Sequence, residues 1–223
     1  MNIIKSTIKL SLNIACWPLY AISTAMPKSK NVWIFNSWHG RTFSDNSKHL
    51  YLYIQNNRKN IKAVWITKNN SLTDELRRQG VNAFYFLSLR GIYYQSISSA
   101  AFFTHHQNTE FFSPLLSRKT ELVQLWHGTP IKKILLDTLS YKKTNNSTRA
   151  RLVEKLFPWR RNSWSFVISP SEVINRNLST AFAGNKLIVT GYPRNDRITA
   201  RRPSDPIFNT RKLVYMPTFR GEN

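Results

Sequence analysis

Short apolar, β-branched and aromatic runs recur seven times between residues 32 and 190, and this recurrence leaves the chain few folds to choose from. Residues 32–35, 63–67, 83–86, 101–104, 122–125, 166–168 and 187–190 have the length and composition of strands. Helix start signals lie between several of them: Ser44 before residues 45–56, Ser71 with Asp74 three positions on, Ser88 before 89–98, and Ser169-Pro170-Ser171-Glu172 before 173–182. Strands alternating with helices imply an α/β protein with a largely parallel, doubly wound sheet. In such sheets ligands bind beyond the carboxyl ends of the strands.

Polar clusters fall at those ends. Ser37-Trp38-His39-Gly40 follows the first run, His105-His106-Gln107-Asn108 the fourth, His127-Gly128-Thr129 the fifth, Ser169-Pro170-Ser171 the sixth and Gly191-Tyr192-Pro193-Arg194-Asn195-Asp196 the seventh. If the strands are parallel, the clusters share one rim. The stretch from Leu122 to Lys133 is the most informative, because an apolar run stops at a histidine and two lysines follow closely. His127 is the candidate general base, since histidine takes up a proton near neutral pH. Gly128 would give the backbone room to approach a substrate, and Thr129 would cap a following helix. Lys132 and Lys133 suit phosphate oxygens, or else form a solvated helix face. Asp45, Asn46 and Ser47 open a helix whose N-terminus favours an anion; capping accounts for Asp45 as well. Arg194, Asn195 and Asp196 suit substrate contact, an interdomain hinge, or a helix cap. His105-His106 lacks the partners and spacing of a metal site, and no metal is expected.

The chain carries 33 Lys and Arg against 11 Asp and Glu, a formal charge of +22 spread along its length, so its partner should be polyanionic. A single cysteine, Cys16, excludes an intrachain disulfide framework and fits a reducing, cytosolic setting. No recognition helix, zinc finger or stacking platform points to a specific nucleic-acid partner, although a non-catalytic cationic module for nucleic acid or anionic polymer is the alternative from a different class. Lys142, Lys143, Arg149, Arg151, Lys155, Arg160 and Arg161 are interleaved with Leu152, Leu156, Phe157 and Trp159, a candidate surface for an anionic membrane or polymer.

The ends of the chain read differently from its middle. Residues 1–26 form an amphipathic segment, with Ile4, Ile8, Leu12 and Ala15 on one helical face and Lys5, Lys9 and Asn13 on another; it lies in a membrane interface or packs on its own domain. Residues 27–199 make the sheet domain and 200–210 a linker. Residues 211–223 read as the first strand of a further domain, so the chain is expected to be the front part of a two-domain architecture; otherwise this strand joins the edge of the first sheet.

Four motifs in order give the chain a family resemblance: Phe43-Ser44-Asp45-Asn46-Ser47-Lys48, Trp126-His127-Gly128-Thr129-Pro130-Ile131-Lys132-Lys133, Gly191-Tyr192-Pro193-Arg194-Asn195-Asp196 and Tyr215-Met216-Pro217-Thr218-Phe219-Arg220. With them the chain resembles the CDP-glycerol glycerophosphotransferases, the teichoic acid and capsule polymerases. The resemblance implies a GT-B architecture of two Rossmann-like domains, here the amino-terminal, acceptor-side one and the start of the donor-binding one. It implies that His127 deprotonates a hydroxyl of a lipid-linked acceptor, which attacks the β-phosphorus of CDP-glycerol and releases CMP, with no cofactor beyond that donor substrate. It further implies a peripheral protein of the cytoplasmic membrane face. Ribitol phosphate, another polyol phosphate or a sugar phosphate would suit the same fold. Because the family's donor loops lie further on, the 223-residue chain alone is expected to turn over little or no CDP-glycerol.

Overall fold

A computed structural model describes residues 2–138, 148–160 and 164–199. The expected linker at 200–210 and strand at 211–223 lie outside the described residues, as do Lys142, Lys143, Arg161 and the side chains of Arg149 and Arg151. All seven expected strands form: β1 (Ser29–Phe35), β2 (Lys62–Thr67), β3 (Ala83–Tyr85), β4 (Ser98–Phe103), β5 (Glu121–Gln124), β6 (Phe166–Ser169) and β7 (Leu187–Val189). They pair in the order β3-β2-β1-β4-β5-β6-β7, every pair parallel. The order reverses between β1 and β4, which opens the crevice where doubly wound sheets bind ligands.

Successive residues of a strand point to opposite faces, and both faces here are covered. Phe35, Trp65, Phe102 and Val123 pack with Tyr51 and Ile54 of α3 (Asp45–Asn57) and Leu76 of α4 (Asn70–Arg78). Ile34, Val64, Ile66, Ala101 and Phe103 pack on the other side with Ile97 of α5 (Leu89–Ile97), Phe111 and Leu116. Double burial is why the strands read as unbroken apolar runs instead of alternating ones. The cap of α4 lies two residues before the expected one. Asn69 accepts from the Leu72 N–H and Ser71 hydrogen-bonds to the Asn69 side chain, because the amide oxygen reaches the orphan donors from further back.

The amino-terminal segment is two helices, α1 (Asn2–Ala15) and α2 (Trp17–Ala25), the second starting where Pro18 is compatible with a first helical turn. α2 belongs to the domain: Ser23 is buried and donates to the Leu115 carbonyl, and Tyr20 packs on Trp159 with ring centroids 5.1 Å apart. α1 instead leaves Ile8, Leu10, Leu12 and Ile14 exposed, at 50–61% of their full accessible area. Beyond the sheet's early crossovers come α6 (Gln107–Glu110), α7 (Thr148–Leu156), α8 (Glu172–Ala181) and α9 (Asp196–Thr199).

Candidate active site at the sheet crevice

The chain leaves β1, β4 and β5 side by side, and each exit carries a histidine. His39 follows β1, His105 and His106 follow β4, and His127 follows β5. The rings of His105 and His127 stack at 4.2 Å with 17° between planes, His39 lies 4.7 Å from His105, and Trp38 lies 4.4 Å from His105. His127 is half-buried, with its ring also 4.1 Å from that of Trp126. The packing of these five rings brings together groups separated by as many as 89 positions in sequence, from Trp38 to His127.

Hydrogen bonds set the chemistry of the histidines. His127 Nδ1 lies 2.7 Å from the Thr104 carbonyl oxygen. A carbonyl only accepts, so Nδ1 carries the proton and the Nε2 lone pair of the neutral ring is left available for a base. Burial, followed by the neighbouring histidines, pushes His105 down from 6.5 to about 3, so it stays a neutral imidazole at physiological pH. Burial also holds His39 below its ordinary value, with Arg41 and Lys68 adding to the effect. Beneath them Glu110 is fully buried; it accepts from the Thr104 N–H at 2.8 Å, the Thr104 hydroxyl at 2.7 Å and the His105 N–H at 3.2 Å. Desolvation drives its carboxyl up to about 7 against those bonds.

The turn that carries His127 is held from two other places in the chain. Asn46, buried at the start of α3, donates from Nδ2 to the carbonyls of Trp126 at 2.8 Å and Leu125 at 3.3 Å. Arg194 Nη1 donates to the His127 carbonyl at 2.9 Å and pairs with Asp45 at 3.0 Å, while the Arg194 N–H reaches Asn46 Oδ1 at 3.4 Å. Tyr192 donates to the Gly128 carbonyl at 3.1 Å. Residues 45–46 and 192–194 thus fasten residues 125–128, and Asp45, Asn46 and Arg194 spend these bonds on the chain itself. Backbone strain collects here as well: Trp38, His39, Asp45 and Trp126 all take positive φ, between +46° and +61°, and Gly40 takes +83°.

The remaining expected residues lie around this centre. Ser47 is wholly buried in α3. Thr129 caps no helix, because Pro130 is followed by turns and then a 3-10 turn at Leu135–Asp137. Lys132 and Lys133 consequently sit on an exposed loop instead of a helix face, beside an open depression of about 420 Å³ shared with Ile134, Asp137, Asn177 and Thr180. Gly128 lies beside Arg194, whose Nη2 would stand 3.4 Å from an added Cβ, an ordinary contact distance, so the geometry does not itself require a glycine there. Asn195 and Asp196 are exposed at the far edge. Among the described residues no three acidic, histidine or cysteine side chains are arranged to hold a metal ion.

Reasoning from sequence missed Thr104, Glu110 and the stacking of His105 on His127. The one available signal was that the Trp38-His39 and His105-His106 pairs both follow strands; nothing in the spacing marked Glu110.

A family model described as CDP-glycerol:poly(glycerophosphate) glycerophosphotransferase matches residues 18–223. The chain is 27% identical over 232 residues to a teichoic acid glycerol-phosphate transferase of Staphylococcus aureus, covering 98% of this chain and 58% of that protein. It is 25% identical to a teichoic acid poly(glycerol phosphate) polymerase of Bacillus subtilis, covering 92% of this chain and 28% of the polymerase. A solved structure of the wall teichoic acid polymerase TagF superposes with a TM-score of 0.64 at 20% identity, over 93% of this chain and 51% of that one. The chain therefore spans between about a quarter and three fifths of the length of these relatives.

Proposed function

Because the chain belongs to the CDP-glycerol:poly(glycerophosphate) glycerophosphotransferase family, we propose that it forms the acceptor side of an enzyme that moves glycerol phosphate from CDP-glycerol to a lipid-linked acceptor or a growing poly(glycerol phosphate) chain of the wall or capsule. The observation that carries this reading is the His127 tautomer: with Nδ1–H bound to the Thr104 carbonyl, Nε2 is a proton acceptor at the sheet crevice. In the proposed step Nε2 takes the proton of the acceptor hydroxyl, the oxygen forms a bond to the β-phosphorus, and the bond from that phosphorus to the bridging oxygen breaks to release CMP. Phosphoryl-type transfer draws mainly on positioning and charge neutralisation, which is the role of the clamped turn and of the exposed Lys132 and Lys133. Binding tests this directly. A short glycerol-phosphate oligomer is expected to perturb the His127 and His105 resonances of the chain, and Lys132→Ala with Lys133→Ala to weaken it severalfold; an oligomer that perturbs neither histidine would refute the acceptor-side reading.

The same reading places the protein peripherally on the cytoplasmic face of the membrane, where a lipid-linked acceptor is held. Its support is a set of exposed apolar side chains. Ile8 and Leu12 lie along one side of α1 and Leu10 and Ile14 along the other, all four exposed. Trp17 of α2 meets Trp159 at 5.3 Å, and α7 carries exposed Leu152 and Leu156, with Lys155 and Arg160 close in sequence. Apolar side chains flanked by cations suit an anionic interface. No described helix is long and apolar enough to cross a membrane. The chain is expected to float with anionic phosphatidylglycerol vesicles and not with neutral phosphatidylcholine ones. Ile8→Glu with Leu12→Glu, one turn apart on the same side of α1, should lower that binding by about tenfold or more, since each apolar side chain contributes ~1.5–3 kcal/mol on burial; equal flotation of the variant would remove α1 from the interface.

A further inference from the structure

Glu110 touches neither the crevice nor a basic partner within ion-pair distance other than His105, 3.9 Å away. A carboxylate of this kind is costly to bury, and its three accepted bonds all go to two consecutive residues, Thr104 and His105. Those two residues are the ones that meet the histidine stack. The Thr104 carbonyl receives His127 Nδ1–H at 2.7 Å, and the Thr104 hydroxyl lies 3.1 Å from His105 Nδ1. Since that hydroxyl gives its own proton to Glu110 Oε1, it faces His105 as an acceptor, so His105 Nδ1 also carries a proton. The Trp38 N–H, 3.3 Å away, fills its other lone pair.

We infer that Glu110 is a positioning residue which, through Thr104, presets both His105 and His127 as Nδ1–H tautomers with their Nε2 lone pairs outward. Its oxygens decide the two histidines separately. Oε2 takes the Thr104 and His105 backbone N–H groups, which fixes the carbonyl that His127 uses; Oε1 takes the Thr104 hydroxyl proton, which fixes the direction of the bond from His105. The inference rests on His127 being the base, yet it concerns where protons sit and not turnover.

Glutamine separates the two roles. In Glu110→Gln the amide oxygen must face the two backbone N–H donors, so the amide NH₂ faces Thr104 Oγ1 and donates to it. The hydroxyl proton then turns to His105 Nδ1, and His105 has to carry its proton on Nε2 instead. His127 keeps Nδ1–H, because its carbonyl partner is undisturbed.

The test is a long-range ¹H–¹⁵N correlation spectrum of the 223-residue chain with ¹⁵N-labelled histidine at about pH 8, where His105 is neutral and Glu110 ionised. Only five histidines need assignment, one Gln substitution each. In the parent chain His105 and His127 are expected as Nδ1–H. Glu110→Gln should switch His105 alone to Nε2–H. Thr104→Val, nearly the same shape without the hydroxyl, should give His105 a mixture of tautomers and leave His127 unchanged; it decides the matter if the Gln variant does not fold. A His105 tautomer unmoved by either substitution would overturn the inference, as would a parent chain with His127 protonated on Nε2. Transfer that survives His127→Ala would remove the base while leaving the His105 switch standing, so the two failures are distinguishable.

Discussion

Transfer is expected to fall by ~10²–10⁴-fold when His127 is replaced by Ala, the usual contribution of a positioned general base. The measurement is CMP released from CDP-glycerol in the presence of a lipid-linked acceptor, in a polypeptide that joins this segment to a donor-binding half. The loss should appear in kcat more than in KM, because the imidazole acts on a proton that moves only in the transition state. Folding should change little: the ring is half-buried, and its removal leaves one carbonyl, that of Thr104, without its partner, a cost of about 1 kcal/mol. A loss of less than tenfold would assign the base to another group of the crevice, with His39 next in line.

Asn46→Ala is expected to cost about 2–4 kcal/mol of stability, the sum for two carbonyls that lose their donor. Asn46 is fully buried and its Nδ2 serves Leu125 and Trp126 at once. Asn46→Asp should be at least as damaging, since a buried carboxylate would then face two carbonyl oxygens with nothing to donate. Urea unfolding of both variants measures this. Transfer should decline along with stability, because the same bonds hold Trp126 in its left-handed conformation and aim His127 across Thr104. A cost below 1 kcal/mol for Asn46→Ala would mean that the turn holds itself, and that Arg194 and Asp45 suffice to dock it.

The sheet was legible in the sequence because burial on both faces writes each strand as a compact apolar run, and the flanking Ser and Asp residues mark where helices begin. What could not be read there was adjacency. Which rim clusters touch depends on the order β1-β4-β5, set by the direction of two crossovers, so His105 against His127 follows from topology and not from spacing. Asp45 and Arg194 were visible as motif residues, but their partnership spans 149 positions. Thr129 was expected to cap a helix on the pattern of strand, glycine, threonine, proline; the chain instead continues through turns, and no local residue forbids that. The split of the first 26 residues at Cys16 and Pro18 was hidden for another reason: a helix that lies exposed and one that packs have similar amphipathic patterns, and it is the contacts of Tyr20 with Trp159 and of Ser23 with Leu115 that tell them apart.

Trp38, His39, Asp45 and Trp126 hold conformations that cost an ordinary L-residue roughly 1–2 kcal/mol each. Glycine at Trp38 or His39, whose side chains are exposed, would relax the backbone, which sets durability against performance at two positions of the crevice. At Trp126 the loss of a buried ring, about 3–5 kcal/mol, outweighs that relief. Laboratory selection for heat resistance alone would therefore favour glycine at the two exposed places, and each such gain would strip a ring from the side of His105.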